Sequence, residues 1–545
     1  MKLKIQVPDI PEEQQTPVVK GLLALLEQFA ERIQEQDEEI ACLKDEINIL
    51  KGEKKRPAFK GSKLDSKTSL DESEVEEGSD DGREPRKRAG SNKKPKTSQL
   101  TIHEDKVIPP DEPIPDDARF KGYRDFIVQD LIIQAHNTRY RLPRWVTPEG
   151  KEIIGELPAA LKNRHFGPQL TRYILYQHHH CQTTQPLLVE QLREWGIDIS
   201  SGQLNHLLVA DQAVFHAEKD ALLQAGLSAS DYVTVDDSGA RHQGKNGYVT
   251  QIGNDFFAWF SSTDSKSRVN FLGLLRAGHR DYVLSEAALC YMKQQKLPKG
   301  PMAKLRQHIG QRIRSKDEWE QLLASLSIGK PRHCRIATEG ALLGSVVDHG
   351  LCDDLVIVSD DAGQFNILRH ALCWVHAERL IHKLIPLNDT HREDVARVRN
   401  QVWDLYRDLK AYKRQPDDAK REALTNRFDV VFTQQTSFAT LNRTLKGIHR
   451  NKEELLLVLH RPTIPLHTNG SETDIRDYVK KRKVSGGTRS EEGRRCRDTF
   501  ISLKKTCRKL GISFWQYLAD RLDIGEHTIA PLPDIVRERA TAPTY

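Results

Sequence analysis

The sequence predicts an α/β protein, a mixed sheet flanked by helices and interrupted by helical insertions, behind a long polar N-terminal extension. Three observations carry this. Two apolar runs, "DYVTVDDSG" (231–239) and "LVIVSDDAGQF" (355–365), read as buried strands ending in paired aspartates. Between them "GYVTQIG" and "FFAWFSS" read as two further strands joined by the turn residues "GND". Long charged stretches at about 280–350 and 388–460 have helical character and interrupt the strand pattern.

The chain has 545 residues, 38% apolar, with a mean hydropathy of −0.60, so a globular majority with solvated segments is expected. No run of about 18 apolar residues exists, which argues against a membrane span. The start "MKLKIQVPDIPEEQQ" lacks a signal-peptide core, and the eight cysteines form no CxxC pair. Both features fit a reducing cytoplasm. The net charge of +6 has the sign that nucleic acid requires but decides nothing alone.

Residues 1–52 contain a heptad. Its first positions are Val19, Leu26, Ile33, Ile40 and Ile47, and its second are Leu22, Phe29, Gln36, Leu43 and Leu50. β-Branched residues at the first position with Leu at the second favour a parallel two-stranded coil, hence a homodimer or higher oligomer; one amphipathic helix folded on its own domain is the alternative. Residues 53–117, with "LDESEVEEGSDDG" and "REPRKRAGSNKKPK", cannot bury a core and are expected to be a disordered charged linker. Residues 118–165 contain strand-like runs and suggest a small β-rich module. Residues 166–226 carry two helix candidates, Pro186–Trp195 and Ser201–Val209, around the turn "GIDIS". That is the length pattern of a helix-turn-helix, whose second helix would offer Gln203, Asn205 and His206 to base edges. An ordinary helical hairpin fits equally well.

Residues 227–480 hold the core. The order is strand with Asp, two antiparallel strands, helix, strand with Asp, short strand into helix ("ALCWVHAERLIHKL"), then a late helix with Glu. This is a ribonuclease-H-like arrangement, in which the first and fourth strands are neighbours and a later helix supplies a third acid. Asp236, Asp360 and Glu472 would then converge. Hard oxygen ligands suit Mg²⁺ (or Mn²⁺), and two such ions can serve an in-line phosphoryl displacement. Residues 481–545 form a basic helical region. Singly, an aspartate at a strand end is common as a turn or helix cap.

"VDDSG", "SDDAGQF" followed by "CWVHAER", "TNGSETDIR" and "SLKKTCRKLGISFWQYLADRL" resemble four boxes of the DDE transposases of the insertion-sequence 66 family, over about residues 166–525. The resemblance implies a DNA transposase that cleaves element ends and transfers the released 3′-OH into target DNA. It assigns Asp236, Asp360 and Glu472 as catalytic, metal-binding acids. It also implies nucleoid-associated work in the cytoplasm and small accessory transposition proteins. Arg379 and Arg476 match basic positions of the boxes. With Lys480, Lys481, Arg482, Lys483 and Arg489 they are expected to contact DNA. Two departures stand out. Residues 43–180 contain no cysteine, so the family's CxxC zinc module is excluded and no zinc site is assigned; and Thr473 replaces the arginine that commonly follows the glutamate. Asp237 and Asp361 adjoin the assigned acids, leaving the register open to a one-residue shift. The triple histidine of "QHHHC" (177–181) cannot aim three rings at one ion from a helix. Cys373 and His376 are expected to pack and to orient Arg379. A catalytically silent dimeric DNA-binding protein, or a nuclease that cuts without joining, remain alternatives.

Overall fold

The structure, a computed structural model, describes residues 100–541 apart from 116–117, 159–160, 162–163, 351–353 and 527, together with single positions between 16 and 36. Of the heptad seam, Val19, Leu22, Leu26, Phe29 and Gln36 are described and helical; the other seam positions, and most of the 53–117 linker, lie outside the described residues. Leu22, Leu26 and Phe29 are exposed.

The chain divides into two compact units, residues 1–35 with 137–545, and residues 36–136. In the smaller unit the described residues form no helix or strand from 100 onward, and Ile108, Phe126 and Ile132 are exposed. The strand-like runs of residues 126–143 therefore do not pair. The β-structure of the 118–165 segment is one antiparallel ladder, β1 (Arg144–Val146) with β2 (Glu152–Ile154). β-Propensity needs a cross-strand partner to become a strand, and most of these residues have none.

The larger unit is mixed α/β with a helical majority. Its central sheet contains β3 (Tyr232–Gly239), β4 (Tyr248–Gly253), β5 (Ala258–Thr263), β8 (Val356–Ser359) and β9 (Arg369–Leu372), in the order β5-β4-β3-β8-β9. The β5–β4 and β4–β3 pairs are antiparallel; β3–β8 and β8–β9 are parallel. A separate two-residue ladder, β6 (Tyr282–Val283) with β7 (Arg312–Ile313), lies in the first insertion. Otherwise that insertion is helical, ending in the helix Pro331–Asp348. The second insertion is built on the helices Asp389–Arg414, Asp418–Thr433 and Ala439–Arg450.

Strand alternation sorts the sheet into two faces. Val233, Val235, Ile252, Trp259 and Ile357 join one large core with the first insertion and the C-terminal helices. Val356, Val358, Ala371 and Leu372 join a second core built mostly from the second insertion. Val249, Ala258 and Phe260 meet Ile475 and Tyr478 of the helix Asn469–Ser485. The large core draws on residues from Ile174 to Val536, on both sides of residues 226 and 480.

β5 is an edge strand, and edges invite non-native pairing. The helix Glu491–Lys509 covers it with side chains one turn apart. Asp498, Ser502 and Thr506 accept from the backbone N–H groups of Ser262 (2.7 Å), Phe260 (2.9 Å) and Ala258 (3.1 Å). The loop before this helix grips the β3–β4 hairpin tip through Thr488, whose N–H donates to the Arg241 carbonyl at 3.0 Å. Gly487 permits that approach, since a Cβ there would stand 2.6 Å from the Arg241 oxygen.

Candidate active site

β3 and β8 pair in parallel, with Thr234 opposite Val358. Two residues further along each strand direction stand Asp236 and Asp360. A two-residue step preserves the face, so both acids point to the same side of the sheet. The helix Asn469–Ser485 packs on that side, where Ser471 donates to the Thr234 hydroxyl at 2.6 Å inside the protein. Glu472 follows immediately. β3 continues to Gly239, so Asp236 lies within the strand rather than at its end; it lies just beyond the last residue paired with β8.

The electrostatics reflect this convergence. Burial pushes the Asp236 carboxyl up to about 6. The neighbouring Asp237 N–H opposes the shift, while the Asp360 and Glu472 carboxylates reinforce it. Asp236 accepts only that N–H, at 2.7 Å, among the hydrogen bonds found for its side chain. Asp360 accepts from the Ala362 N–H at 3.2 Å, which turns the chain after β8. Glu472 Oε1 is buried without a hydrogen-bond partner; Arg379 lies 3.5 Å and His376 3.7 Å away. The three carboxylates do not all fall within 4.8 Å of one another, a spacing that among the described residues only His279, Asp281 and His349 achieve.

The neighbouring aspartates differ. Asp237 points to the opposite face, ion-paired with Lys266 and accepting from Gln364 at 2.9 Å. Asp361 accepts from Asn451 at 3.4 Å, and burial raises its pKa. Cys373 and His376 form a coupled pair beside Glu472. Burial raises the Cys373 thiol, but His376 outweighs it and holds the thiol below its ordinary range. Burial lowers His376, yet Cys373 and then Glu472 leave it raised. Arg379 also lies 3.3 Å from His376, so this basic group is directed at the acid.

Helical periodicity divides the basic residues after Glu472. Arg476, Lys480 and Lys483 are exposed on the stripe that continues from Glu472, and Arg489 is exposed in the following loop. Lys481 is buried on the other side and donates to the His178 carbonyl at 2.7 Å. Arg482 donates to the Gly239 carbonyl. Both were expected to contact DNA; in the structure each donates to a protein carbonyl. The 3.6-residue spacing of Ile475, Tyr478 and Lys481 was the signal that could have separated them.

In the helical segment, Gln185–Glu194 and Ser201–Val209 form the two expected helices. The Gln203 side chain accepts from the Ser200 N–H at 2.9 Å and completes a capping box. Asn205 accepts from Gln185 at 3.3 Å, while His206 is exposed. A cavity of about 840 Å³ separates Ser201 and Asn205 from Lys481, Arg489, Arg497 and Lys504. The triple histidine is packing: His179 stacks on Phe500, and burial lowers His178 to about 3.

A sequence model described as "Transposase IS66 family" matches residues 349–495, a span that includes Asp360 and Glu472 but not Asp236. The uncharacterized protein y4jO of Sinorhizobium fredii (strain NBRC 101917 / NGR234) is 46% identical over 321 residues, which is 58% of this chain and all of that protein. The chain belongs to the IS66 transposase family. DNA is the partner this family implies. Among the described residues no helix is long and apolar enough to cross a membrane.

Proposed function

We propose that the protein is a DDE transposase with a ribonuclease-H-like core, in which Asp236, Asp360 and Glu472 form one catalytic site. The reading rests on one observation above all. In a chain of this family, a half-buried Asp236 lies in the field of Asp360 and Glu472, with no cationic side chain bound to it among the described residues. Crowded carboxylates of this kind fit a divalent cation, as does the Glu472 oxygen that accepts no hydrogen bond. The three acids would hold Mg²⁺ or Mn²⁺, which when bound activates an attacking oxygen and stabilises a leaving oxygen in phosphoryl transfer.

The chain's own groups support that chemistry. His376 and Arg379 orient Glu472. Arg476, Lys480, Lys483 and Arg489 line the approach and would contact phosphates, positioning DNA without reading its sequence. His206 and Asn205, on the second helix of the helix-turn-helix-like segment, are the candidates for base contact at element ends. The exposed heptad residues Leu22, Leu26 and Phe29 suit a coiled-coil partner, a second copy of the chain, so that two element ends are handled together. Accessory proteins and a cytoplasmic, nucleoid-associated setting belong to the same reading.

Joining of a labelled element end to plasmid DNA in Mg²⁺ tests the proposal. Strand transfer lost in Asp236→Asn, Asp360→Asn and Glu472→Gln, with DNA binding retained, is expected. Cleavage without joining would make the protein a nuclease. Binding without either reaction would make it a silent descendant of a transposase.

A further inference from the structure

We propose that His279, Asp281 and His349 form a second divalent-cation site, suited to Zn²⁺, at the base of the first helical insertion. Their donor atoms lie within 4.8 Å of one another. They come from two distant stretches of chain. His279 lies in the turn after the helix Arg268–Leu275, Asp281 directly precedes β6, and His349 caps the helix Pro331–Asp348. No local sequence motif would reveal the set.

The donor spacing is short enough for one ion to be shared. His349 Nε2 lies 3.0 Å from both Asp281 oxygens. That is the spacing of a bifurcated hydrogen bond, and it also brings the ring nitrogen and the carboxylate close enough to share one ion. Ligands at about 2.0–2.1 Å from a tetrahedral Zn²⁺ stand roughly 3.3 Å apart, close to the spacing seen. The rings of His279 and His349 stack with centroids 3.4 Å apart and planes 9° from parallel. Ring lone pairs lie in the ring plane, so one imidazole must turn out of this stack for both to reach one ion. Burial raises the Asp281 pKa, but hydrogen bonds from His349 and Ser345 outweigh it and leave it below the ordinary value. Two imidazoles and one carboxylate match Zn²⁺ rather than Mg²⁺, which prefers oxygen ligands.

The surroundings fit such a site. Ser345 donates to Asp281 Oδ1 at 2.9 Å and would orient the carboxylate. Two cationic groups also face it: Arg276 donates to the Asp281 carbonyl at 2.8 Å, and Arg312 Nε lies 3.4 Å from Oδ2. Arg312 is paired with Asp348 as well, so it keeps a counter-charge when Asp281 turns to a cation. Gly344 brings its helix against β6, where a Cβ would stand 2.1 Å from the Val283 carbonyl oxygen. The cation would therefore pin that helix, which leads toward β8 and Asp360, without touching the three acids.

The test uses the full chain carrying Asp236→Asn and Asp360→Asn, which removes the affinity of the proposed catalytic acids and makes the result independent of that reading. Co²⁺ titration should give one equivalent with visible d–d absorption of a tetrahedral site, and Zn²⁺ should displace it. His349→Ala should weaken binding by more than the roughly 10–100-fold typical of losing an outer-shell partner, and Ser345→Ala by about that amount. If His349→Ala does not fold, His279→Ala changes an exposed residue and carries the same expectation. Absence of Co²⁺ absorption together with no Zn²⁺ retained after gel filtration overturns the site. So does undiminished binding when His279 and Asp281 are both replaced.

Discussion

The helix Asn469–Ser485 has two faces that use charge in opposite ways. Glu472, Arg476, Lys480 and Lys483 lie along one stripe. Glu472 Oε1 there is buried without a hydrogen bond, with Arg379 at 3.5 Å and His376 at 3.7 Å, and it adds to the negative field on Asp236. On the other face Asp474 and Asp477 meet the helix Glu491–Lys509. Lys505 lies 3.4 Å from Asp474 and 2.7 Å from Asp477, and Lys509 lies 3.1 Å from Asp474. Those buried acids are matched by buried cations and close the protein on itself. Each face has a buried carboxylate oxygen without a hydrogen bond, Glu472 Oε1 and Asp474 Oδ2, but the Asp474 side has lysines at 2.7–3.4 Å and the Glu472 side adds two further acids. Folding rarely leaves like charges crowded in a desolvated place unless something else supplies the counter-charge.

Substitutions on the two faces should therefore fail in different ways. On the acid-crowded side, Asp360→Asn should lower strand transfer by about 10³-fold or more while leaving the melting temperature unchanged or higher. Asp237→Asn, on the other side of the sheet, should cost much less, and a parallel assay of the two settles which register acts. Equal loss in both would undo the distinction between the neighbouring aspartates. On the matched side the readout reverses. Lys505→Met leaves Asp474 and Asp477 poorly paired, and chemical denaturation should show a loss of about 3–5 kcal/mol. A stable Lys505→Met protein would mean the network does not hold the two helices together.

Lys481 sharpens the comparison through pH. Burial lowers its pKa to about 7, and Arg497 and Lys504 add to the shift. A folded pKa below the unfolded value of about 10.4 means the unfolded chain binds more protons across that window. Its contribution to stability should rise with pH from about 7 to 10. Lys481→Met should flatten that part of a melting-temperature profile, and an unchanged profile would show that the ammonium is better solvated than its position suggests. The smallest effects belong to the exposed stripe. Replacing Lys480 or Lys483 with Ala should weaken binding to all DNA sequences alike and reduce the salt slope by about 1 for each phosphate no longer neutralised. A sequence-dependent weakening would assign these residues to bases instead.

Much of the core was legible because its signals are local. Alternating apolar runs marked β3, β4, β5 and β8, and turn residues separated the strands. Residues 126–143 misled because strand-like composition says nothing about a partner strand. Lys481 and Arg482 misled because a run of basic residues reads as one patch until the helix assigns each to a side. The His279, Asp281 and His349 cluster gave no sequence signal, since its members meet only after the first insertion folds back on β6.

The sequence by itself determined the order of elements and the family resemblance, because strand period, helix period and motif chemistry act over a few residues. Only the tertiary structure decided that Asp236 and Asp360 share a face, that Asp237 turns away toward Lys266, and that the helix Glu491–Lys509 seals the β5 edge. Those outcomes depend on strand register and on contacts between residues hundreds of positions apart. A one-residue slip in register would exchange the faces and scatter the carboxylates.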